Sequence, residues 1–174
     1  MTKNNIINSL RLISICTFIL FTVSGSMVFA DVAKIDSNFD GKMDQWRHTT
    51  ADGKIFKVEH DTNFDGNIDQ VEHFVGDKIL VKAEFDADKN GKMDQIQHYS
   101  DQGKLEKIEK DSKNTGKFDW NEKFDANGKI EQTEIDENGD GKVDIWQYFD
   151  SNQKIKQTNY DTDFNGTTDR WDYF

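Results

Sequence analysis

The chain has 174 residues, of which 33 are acidic and 22 are basic, and its formal net charge is −11 at pH 7. This acidity excludes nucleic acid and anionic membranes as expected partners, since both would repel the surface. A polar, acidic composition is also typical of disorder, but here aromatic residues and glycines recur at a fixed interval, which a disordered chain has no reason to keep.

Residues 1–30 have the pattern of an export signal peptide. Lys3 and Arg11 precede an uncharged apolar stretch that ends in the small residue Ala30. We expect cleavage after Ala30, which leaves a mature chain, residues 31–174, with a net charge of −13, because the removed segment contains two basic residues and no acidic one. An uncleaved membrane anchor is the alternative for an apolar stretch of this length.

Either alternative places the rest of the chain outside the cytoplasm, so we expect a secreted, periplasmic or cell-surface protein whose mature chain does not insert into a membrane. The single cysteine, Cys16, lies inside the apolar stretch. The mature chain therefore has no disulfide. A small exported domain without disulfides needs another cross-link, for which bound metal is the obvious candidate.

A 25-residue period organises the mature chain into a single repeat domain. Each repeat opens with a nine-residue segment built on the pattern D-x-[DN]-x-[DN]-G-x-x-D; we name these segments loops 1 to 6 and number the positions of a repeat from its first Asp. A fixed period of this size predicts a stacked or meandering array. The five full repeats and the partial sixth are 36–60, 61–85, 86–110, 111–135, 136–160 and 161–174.

The segments between the loops have the pattern of β-hairpins. Apolar and polar residues alternate, β-branched and aromatic residues predominate, and glycine-containing turns interrupt each segment, which favours strands over helices. We therefore predict an all-β fold, a repetitive antiparallel β-hairpin meander of about 11 to 12 short strands. The expected core-facing residues at position 11 are Trp46, Val71, Ile96, Asn121, Trp146 and Trp171.

A regular hairpin register predicts two different faces for this sheet. Position 11 then faces position 23, so Trp46 meets Val58, and position 12 faces position 22, so Glu72 meets Lys82. The first pairing places Trp, Val and Ile on one face, and the second leaves the other face polar. The apolar face would need a cover, so the sheet should coil, close toward a barrel or spiral as a solenoid.

The loops carry side-chain oxygens at positions 1, 3, 5 and 9 and a glycine at position 6. Ca²⁺ takes about six to eight oxygen ligands, and a short loop supplies them when oxygens alternate along the chain and a glycine allows a sharp turn. Mg²⁺ fits less well because it demands tight octahedral geometry. Five loops offer three carboxylates and one amide each. The predicted calcium ligands are Asp36, Asn38, Asp40, Asp44, Asp61, Asn63, Asp65, Asp69, Asp86, Asp88, Asn90, Asp94, Asp136, Asn138, Asp140, Asp144, Asp161, Asp163, Asn165 and Asp169.

Loop 4 departs from this pattern. Lys113 and Thr115 occupy positions 3 and 5, and an ammonium group has no lone pair to offer a metal. We therefore predict that loop 4 is a metal-free turn. The same alternative applies to the other loops, since Asp/Asn/Gly turns also occur without metal.

The loops resemble EF-hand calcium loops, D-x-[DN]-x-[DN]-G, and residues 61–72 match the full twelve-residue form that ends in Glu72. Most other repeats lack that Glu, whereas all six have Asp at position 9, so the resemblance is closer to the helix-free loops of thrombospondin type 3 repeats and integrin β-propellers. This resemblance implies that the ninth-position Asp is a ligand. Segments such as 124–130 are similar to the hairpins of Rhs/YD repeat proteins, which supports hairpins but implies no shared function.

These patterns lead to two hypotheses about function, neither of them enzymatic, since no nucleophile elbow, phosphate loop or paired-cysteine motif is present. The first is an exported calcium-binding repeat protein with a structural or adhesive surface role, in which calcium cross-links the loops between strands. The second is a module that binds a glycan or an extracellular protein through an exposed Trp/Tyr/His face and uses calcium only structurally. His48, His73 and His98 at position 13 indicate a semi-exposed strand position rather than a zinc site.

Overall fold

The computed structural model describes residues 31–174, so the predicted signal peptide, 1–30, lies outside the described residues. Twelve β-strands make up the regular structure of the described chain. We find no helix among these residues with the length and apolarity that a membrane crossing requires. The strands are β1 (Asp31–Ile35), β2 (Gln45–Thr49), β3 (Ile55–His60), β4 (Gln70–Val75), β5 (Ile79–Phe85), β6 (Gln95–Tyr99), β7 (Leu105–Lys110), β8 (Trp120–Phe124), β9 (Ile130–Ile135), β10 (Ile145–Phe149), β11 (Ile155–Tyr160) and β12 (Arg170–Tyr173).

All twelve strands belong to one antiparallel sheet whose spatial order is the order of the sequence. Each strand pairs only with its neighbours in the chain, and β1 does not pair with β12, so the sheet is open. This confirms the predicted β-hairpin meander. Among residues 31–174 the sheet neither closes into a barrel nor stacks as a solenoid.

Connections alternate between the two ends of the strands, as an up-and-down meander requires. The hairpin turns lie at one end and loops 1 to 6 at the other, which we call the loop edge. In the first hairpin the Gly53 N–H donates to Thr50 O over 2.9 Å, and Gly53 has a φ of 82°. This combination is a type I turn followed by a left-handed residue, which glycine adopts without steric cost.

Each of the five hairpins contains a β-bulge at position 21. In the first hairpin Thr49 pairs with Ile55, but His48 pairs with Lys57, so Phe56 is the extra residue. A bulge inserts one residue into one strand of a pair and shifts the register beyond it. The equivalent extra residues in the next four hairpins are Val81, Glu106, Glu131 and Lys156.

The predicted register is therefore wrong by one residue between the bulge and the loop edge. Trp46 pairs with Glu59 instead of Val58, and Glu72 pairs with Ala83 instead of Lys82. Because side chains alternate between the faces of a strand, a slip of one residue exchanges the faces of the second strand. Positions 11, 13, 22 and 24 now share one face, which we call the charged face because it collects the His, Lys and Glu residues of the first three repeats.

This register leaves the molecule with almost no hydrophobic core. Within the described chain, Val58 and Ala83 are the only hydrophobic residues that are fully buried. Trp46 is half-buried and Trp171 is 49 % exposed, so the expected covered row of Trp, Val and Ile does not form. Backbone hydrogen bonds between consecutive strands, ion pairs on the charged face and the contacts within the loops therefore stabilise the fold.

Candidate metal-binding loops

Most of the buried polar side chains among the described residues lie at the loop edge. Among the described residues, ten polar or charged side chains are buried, and eight of them are Asp residues at positions 1 and 9 of the loops. A buried carboxylate is costly unless hydrogen bonds or a cation compensate it. These residues are Asp44, Asp61, Asp69, Asp86, Asp119, Asp136, Asp144 and Asp161.

Loop 3 shows how the first Asp organises a loop. Asp86 Oδ1 accepts the N–H of Asn90 over 3.0 Å, and Asp86 Oδ2 accepts the N–H of Gly91 over 2.7 Å. Gly91 has a φ of 89°. The chain turns sharply here because a residue without a Cβ adopts this conformation readily, which brings the loop back around the carboxylate.

The ninth Asp closes the loop from the opposite side. Asp94 Oδ1 accepts the N–H of Ala87 and Asp94 Oδ2 accepts the N–H of Asp88, both over 3.1 Å. The Asp94 N–H in turn donates to Phe85 O over 2.8 Å, which extends the strand ladder into the loop. The carboxylates of positions 1 and 9 therefore point into the same small loop.

Two loops bring three carboxylates together. Each of the three residues in such a group contributes one oxygen, and these oxygens lie within 4.8 Å of one another. Oxygen ligands of one cation must lie this close, because Ca²⁺–oxygen distances are about 2.3–2.6 Å. The groups are Asp86, Asp88 and Asp94 in loop 3, and Asp161, Asp163 and Asp169 in loop 6.

The predicted ligand at position 5 lies differently. In loop 3 the Asn90 side chain donates to Asp88 Oδ2 over 2.9 Å, and its oxygen accepts the N–H of Lys92. In loop 2 Asp65 Oδ1 accepts the N–H of Asn67, and this backbone bond is the main reason why the pKa of Asp65 is lowered. In loops 1, 2 and 5 the three carboxylates stand at positions 1, 5 and 9. Among the described residues, these carboxylates do not come as close together as those of loops 3 and 6.

Loop 5 contains an unsatisfied carboxylate oxygen. Asp144 is 2 % exposed, and its Oδ2 accepts the N–H groups of Glu137 and Asn138 over 2.8 and 3.1 Å. Its Oδ1 is buried and has no hydrogen-bond partner. A buried acceptor without a donor is unfavourable, and a cation in the loop would satisfy it.

Loop 4 holds a cation of its own. Lys113 Nζ lies 3.5 Å from Asp119 Oδ2, and it donates to the backbone oxygens of Asp136 and Glu137 over 3.0 and 2.8 Å. Asp119 is 4 % exposed. The ammonium group thus has one carboxylate and two carbonyl oxygens around it, which is the kind of ligand set that a metal would use in the other loops.

The twelfth-position Glu of the EF-hand pattern lies in the sheet. Glu72 Oε1 accepts a hydrogen bond from the Gln70 side chain over 2.9 Å, and Glu72 Oε2 lies 3.6 Å from His60 Nε2. Glu72 pairs with Ala83 on the neighbouring strand. The contacts of Glu72 are therefore with strand residues. The first Asp of loop 2 accepts the same two backbone N–H groups as in loops 1 and 3.

Sequence reasoning missed a hydroxyl at position 2 of several loops. Thr62 Oγ1 donates to Asp69 Oδ1 over 2.6 Å, and Ser112 and Thr162 donate to the ninth-position Asp of their own loops. The recurrence of Ser or Thr directly after the first Asp is the signal that could have identified this contact. The hydroxyl supplies the ninth-position carboxylate with a further hydrogen-bond donor.

A comparison with models of known protein families finds no family that matches this chain, and no curated protein matches it. The interpretation of the loops therefore rests on their residues and geometry.

Proposed function

We propose that this is an exported calcium-binding repeat protein in which calcium ions in the loops stiffen an open β-sheet, and that its role is structural or adhesive. The observation that carries this proposal is the convergence of Asp86, Asp88 and Asp94 within one loop, repeated by the equivalent residues of loop 6. The unsatisfied Oδ1 of Asp144 supports a third site in loop 5. Loops 1 and 2 complete the proposed set of five.

Calcium is the ion that this ligand chemistry favours. The side-chain ligands are oxygens only, whereas zinc prefers sulfur and nitrogen ligands. Magnesium requires near-ideal octahedral geometry, which exposed loops with mixed carboxylate and carbonyl oxygens do not impose. Extracellular calcium modules bind with dissociation constants of about 10⁻⁴ to 10⁻³ M. At extracellular calcium concentrations such sites would stay occupied and serve a structural role.

The small hydrophobic core explains why the protein would need metal. When free calcium is tenfold above the dissociation constant, each occupied site stabilises the folded state by about 1.4 kcal/mol. Five such sites contribute about 7 kcal/mol, which is comparable with the whole stability of an ordinary domain, about 5–15 kcal/mol. Calcium would then decide whether the array is folded.

The test is a metal analysis of the mature chain, residues 31–174, after equilibration with calcium. We expect about five bound calcium ions per chain, and we expect circular dichroism and protease resistance to show loss of structure in chelator. Magnesium at equal concentration is the control. A chain that binds no calcium, or one that is equally folded in chelator and in calcium, contradicts the proposal.

The second candidate function is recognition of a glycan or protein through aromatic side chains. The exposure of Trp171 and Tyr173 on β12, 49 % and 72 %, favours it, since exposed aromatic rings are common in binding surfaces. Fluorescence quenching of tryptophan by a soluble quencher, with and without a panel of glycans, tests this function. Protection of Trp171 by a glycan supports recognition, and unchanged quenching with every glycan removes the glycan version.

A further inference from the structure

A lysine from loop 3 contacts the ninth-position carboxylate of loop 2. Lys89 Nζ lies 2.8 Å from Asp69 Oδ2 and 3.2 Å from Thr62 Oγ1. The Asp69 side chain is 3 % exposed, whereas that of Lys89 is 41 % exposed. The ammonium group therefore reaches from the surface to a buried carboxylate in the preceding loop.

With this contact, both carboxylate oxygens of Asp69 accept hydrogen bonds. Asp69 Oδ2 accepts the N–H groups of Thr62 and Asn63 in addition to the lysine, and Oδ1 accepts the Thr62 hydroxyl. The equivalent residue of loop 5, Asp144, has no lysine and retains an oxygen without a partner. The two loops differ in whether a lysine contacts the ninth-position carboxylate.

Loop 4 shows the same chemistry with a different lysine. There Lys113 stands at position 3, where the other loops have a predicted metal ligand, and its ammonium group lies against Asp119. In loop 2 the lysine comes from position 4 of the next loop. Position 4 has no cationic residue in the other repeats, where it is Phe39, Phe64, Asn114, Gly139 and Phe164.

We propose that Lys89 is a tethered cation that competes with calcium for loop 2, so that loop 2 is the last of the five proposed sites to fill. This inference rests on the proposed function, because it concerns the order in which the same sites bind. Calcium can enter loop 2 only when the ammonium group leaves Asp69, and the affinity of this loop is reduced by that displacement. Lys89 also lies between the loop 3 ligands Asp88 and Asn90, so calcium in loop 3 would hold its backbone in place.

The experiment compares Lys89→Met with Lys92→Met. Lys92 belongs to the same loop, and its ammonium group has no ion-pair partner among the described residues. Both variants remove one positive charge, but only Lys89→Met frees Asp69. The readout is the amide signal of Gly66 in a calcium titration followed by NMR, because the Gly66 N–H donates to Asp61 inside loop 2. The Gly91 and Gly166 amides report loops 3 and 6 in the same titration.

In the wild type we expect Gly66 to respond at higher calcium concentrations than Gly91 and Gly166. Lys89→Met should tighten binding at Gly66 by about fivefold, the effect of one partly buried ion pair, whereas Lys92→Met should change it by less than about twofold. At a calcium concentration that leaves loop 2 empty, Lys89→Met should melt several degrees below Lys92→Met, since Asp69 has lost its counter-charge, and saturating calcium should remove the difference.

Equal calcium affinities of the two variants at Gly66 overturn the competition while leaving calcium binding intact. The absence of any calcium response at all three glycines overturns the proposed function and this inference together. Lys89→Gln provides a second uncharged variant if Lys89→Met does not fold, and the same comparison at Gly66 then decides.

Discussion

His48 Nε2 lies 2.6 Å from Glu59 Oε2, although a regular hairpin register would place Glu59 elsewhere. The bulge at Phe56 brings the two together, because it moves Glu59 to the face that carries His48. Lys57 Nζ contacts the other carboxylate oxygen of Glu59 at 2.7 Å. The third repeat has the same arrangement with His98, Lys107 and Glu109, and in the second repeat His73 and Lys82 both contact Glu84 Oε1.

These clusters predict a loss of stability in acid. Burial alone would raise the pKa of Glu59, but hydrogen bonds from Lys57 and His48 outweigh it and lower the pKa, and Glu84 and Glu109 behave alike. A lowered pKa in the folded state means that the carboxylates stabilise the fold above about pH 4.3, the value for unfolded Glu, and that this contribution is lost as the pH falls through the folded pKa.

The triple variant Glu59→Gln, Glu84→Gln, Glu109→Gln tests this dependence. We expect it to lose about 1–2 kcal/mol of stability at pH 7 in urea unfolding, at the scale of partly exposed ion pairs. As the pH falls through the lowered pKa values of these carboxyls, the difference from the wild type should shrink, because the wild-type side chains become protonated and uncharged. Both chains should be measured at the same saturating calcium concentration, so that the loops contribute equally. A pH-independent difference would show that the amides disturb packing instead.

Deletion of the bulge residue should be far more harmful than its substitution. Glu106 is exposed, so Glu106→Ala should change stability by less than about 0.5 kcal/mol. Removal of Glu106 forces either the strand register or the turn to change, and we expect a loss above about 2 kcal/mol. Urea unfolding of the two variants makes the comparison. Similar stabilities would mean that the turn can absorb the deletion and that the bulge does not set the register.

Two equivalent buried carboxylates should differ in their effect on metal binding. Asp144 has an unsatisfied oxygen, whereas Asp119 has Ser112 and Lys113 as partners. We expect Asp144→Asn to reduce the number of bound calcium ions by one and Asp119→Asn to leave it unchanged. Calcium per chain after dialysis, measured by atomic emission, provides the count. A loss of one ion in both variants would place metal in loop 4 as well.

Replacement of the lysine in loop 4 should create a metal site. Lys113→Asn restores the oxygen at position 3 and removes the ammonium group, so we expect one additional calcium ion per chain. Lys113→Met removes the charge without supplying a ligand and is the control. If neither variant gains an ion, Thr115 at position 5 is an inadequate ligand; if both gain one, the charge of Lys113 alone excludes metal.

The strands were predictable because their signals are local. Alternation of apolar and polar residues around Trp46 and Trp146 indicates strands, and Gly53 indicates a turn. The 25-residue period repeats these local patterns along the chain. The register was not predictable, because the bulge at Phe56 has no constant residue: its equivalents include Val81 and Glu106. One extra residue in the second strand of each of the five hairpins exchanged the faces of that strand, so the expected hydrophobic face did not form.

The loops were predictable in composition and only partly in geometry. The grouping of Asp86, Asp88 and Asp94 follows from positions 1, 3 and 9, as the spacing indicated. The contact of Lys89 with Asp69 could not be inferred, because it joins different repeats and depends on the distance between neighbouring loops. Contacts across repeats are set by the sheet, whereas contacts inside a loop are set by nine consecutive residues.

Because the sheet is open and its strands follow the order of the sequence, the number of repeats can change without a rearrangement of the other strands. Each repeat touches only its neighbours, so its contribution does not depend on how many repeats follow. One more repeat would add two strands and about 9.6 Å of width, with no core to enlarge and no barrel to reclose. Each duplication of a 25-residue unit, such as 86–110, would thus widen the sheet by the same amount.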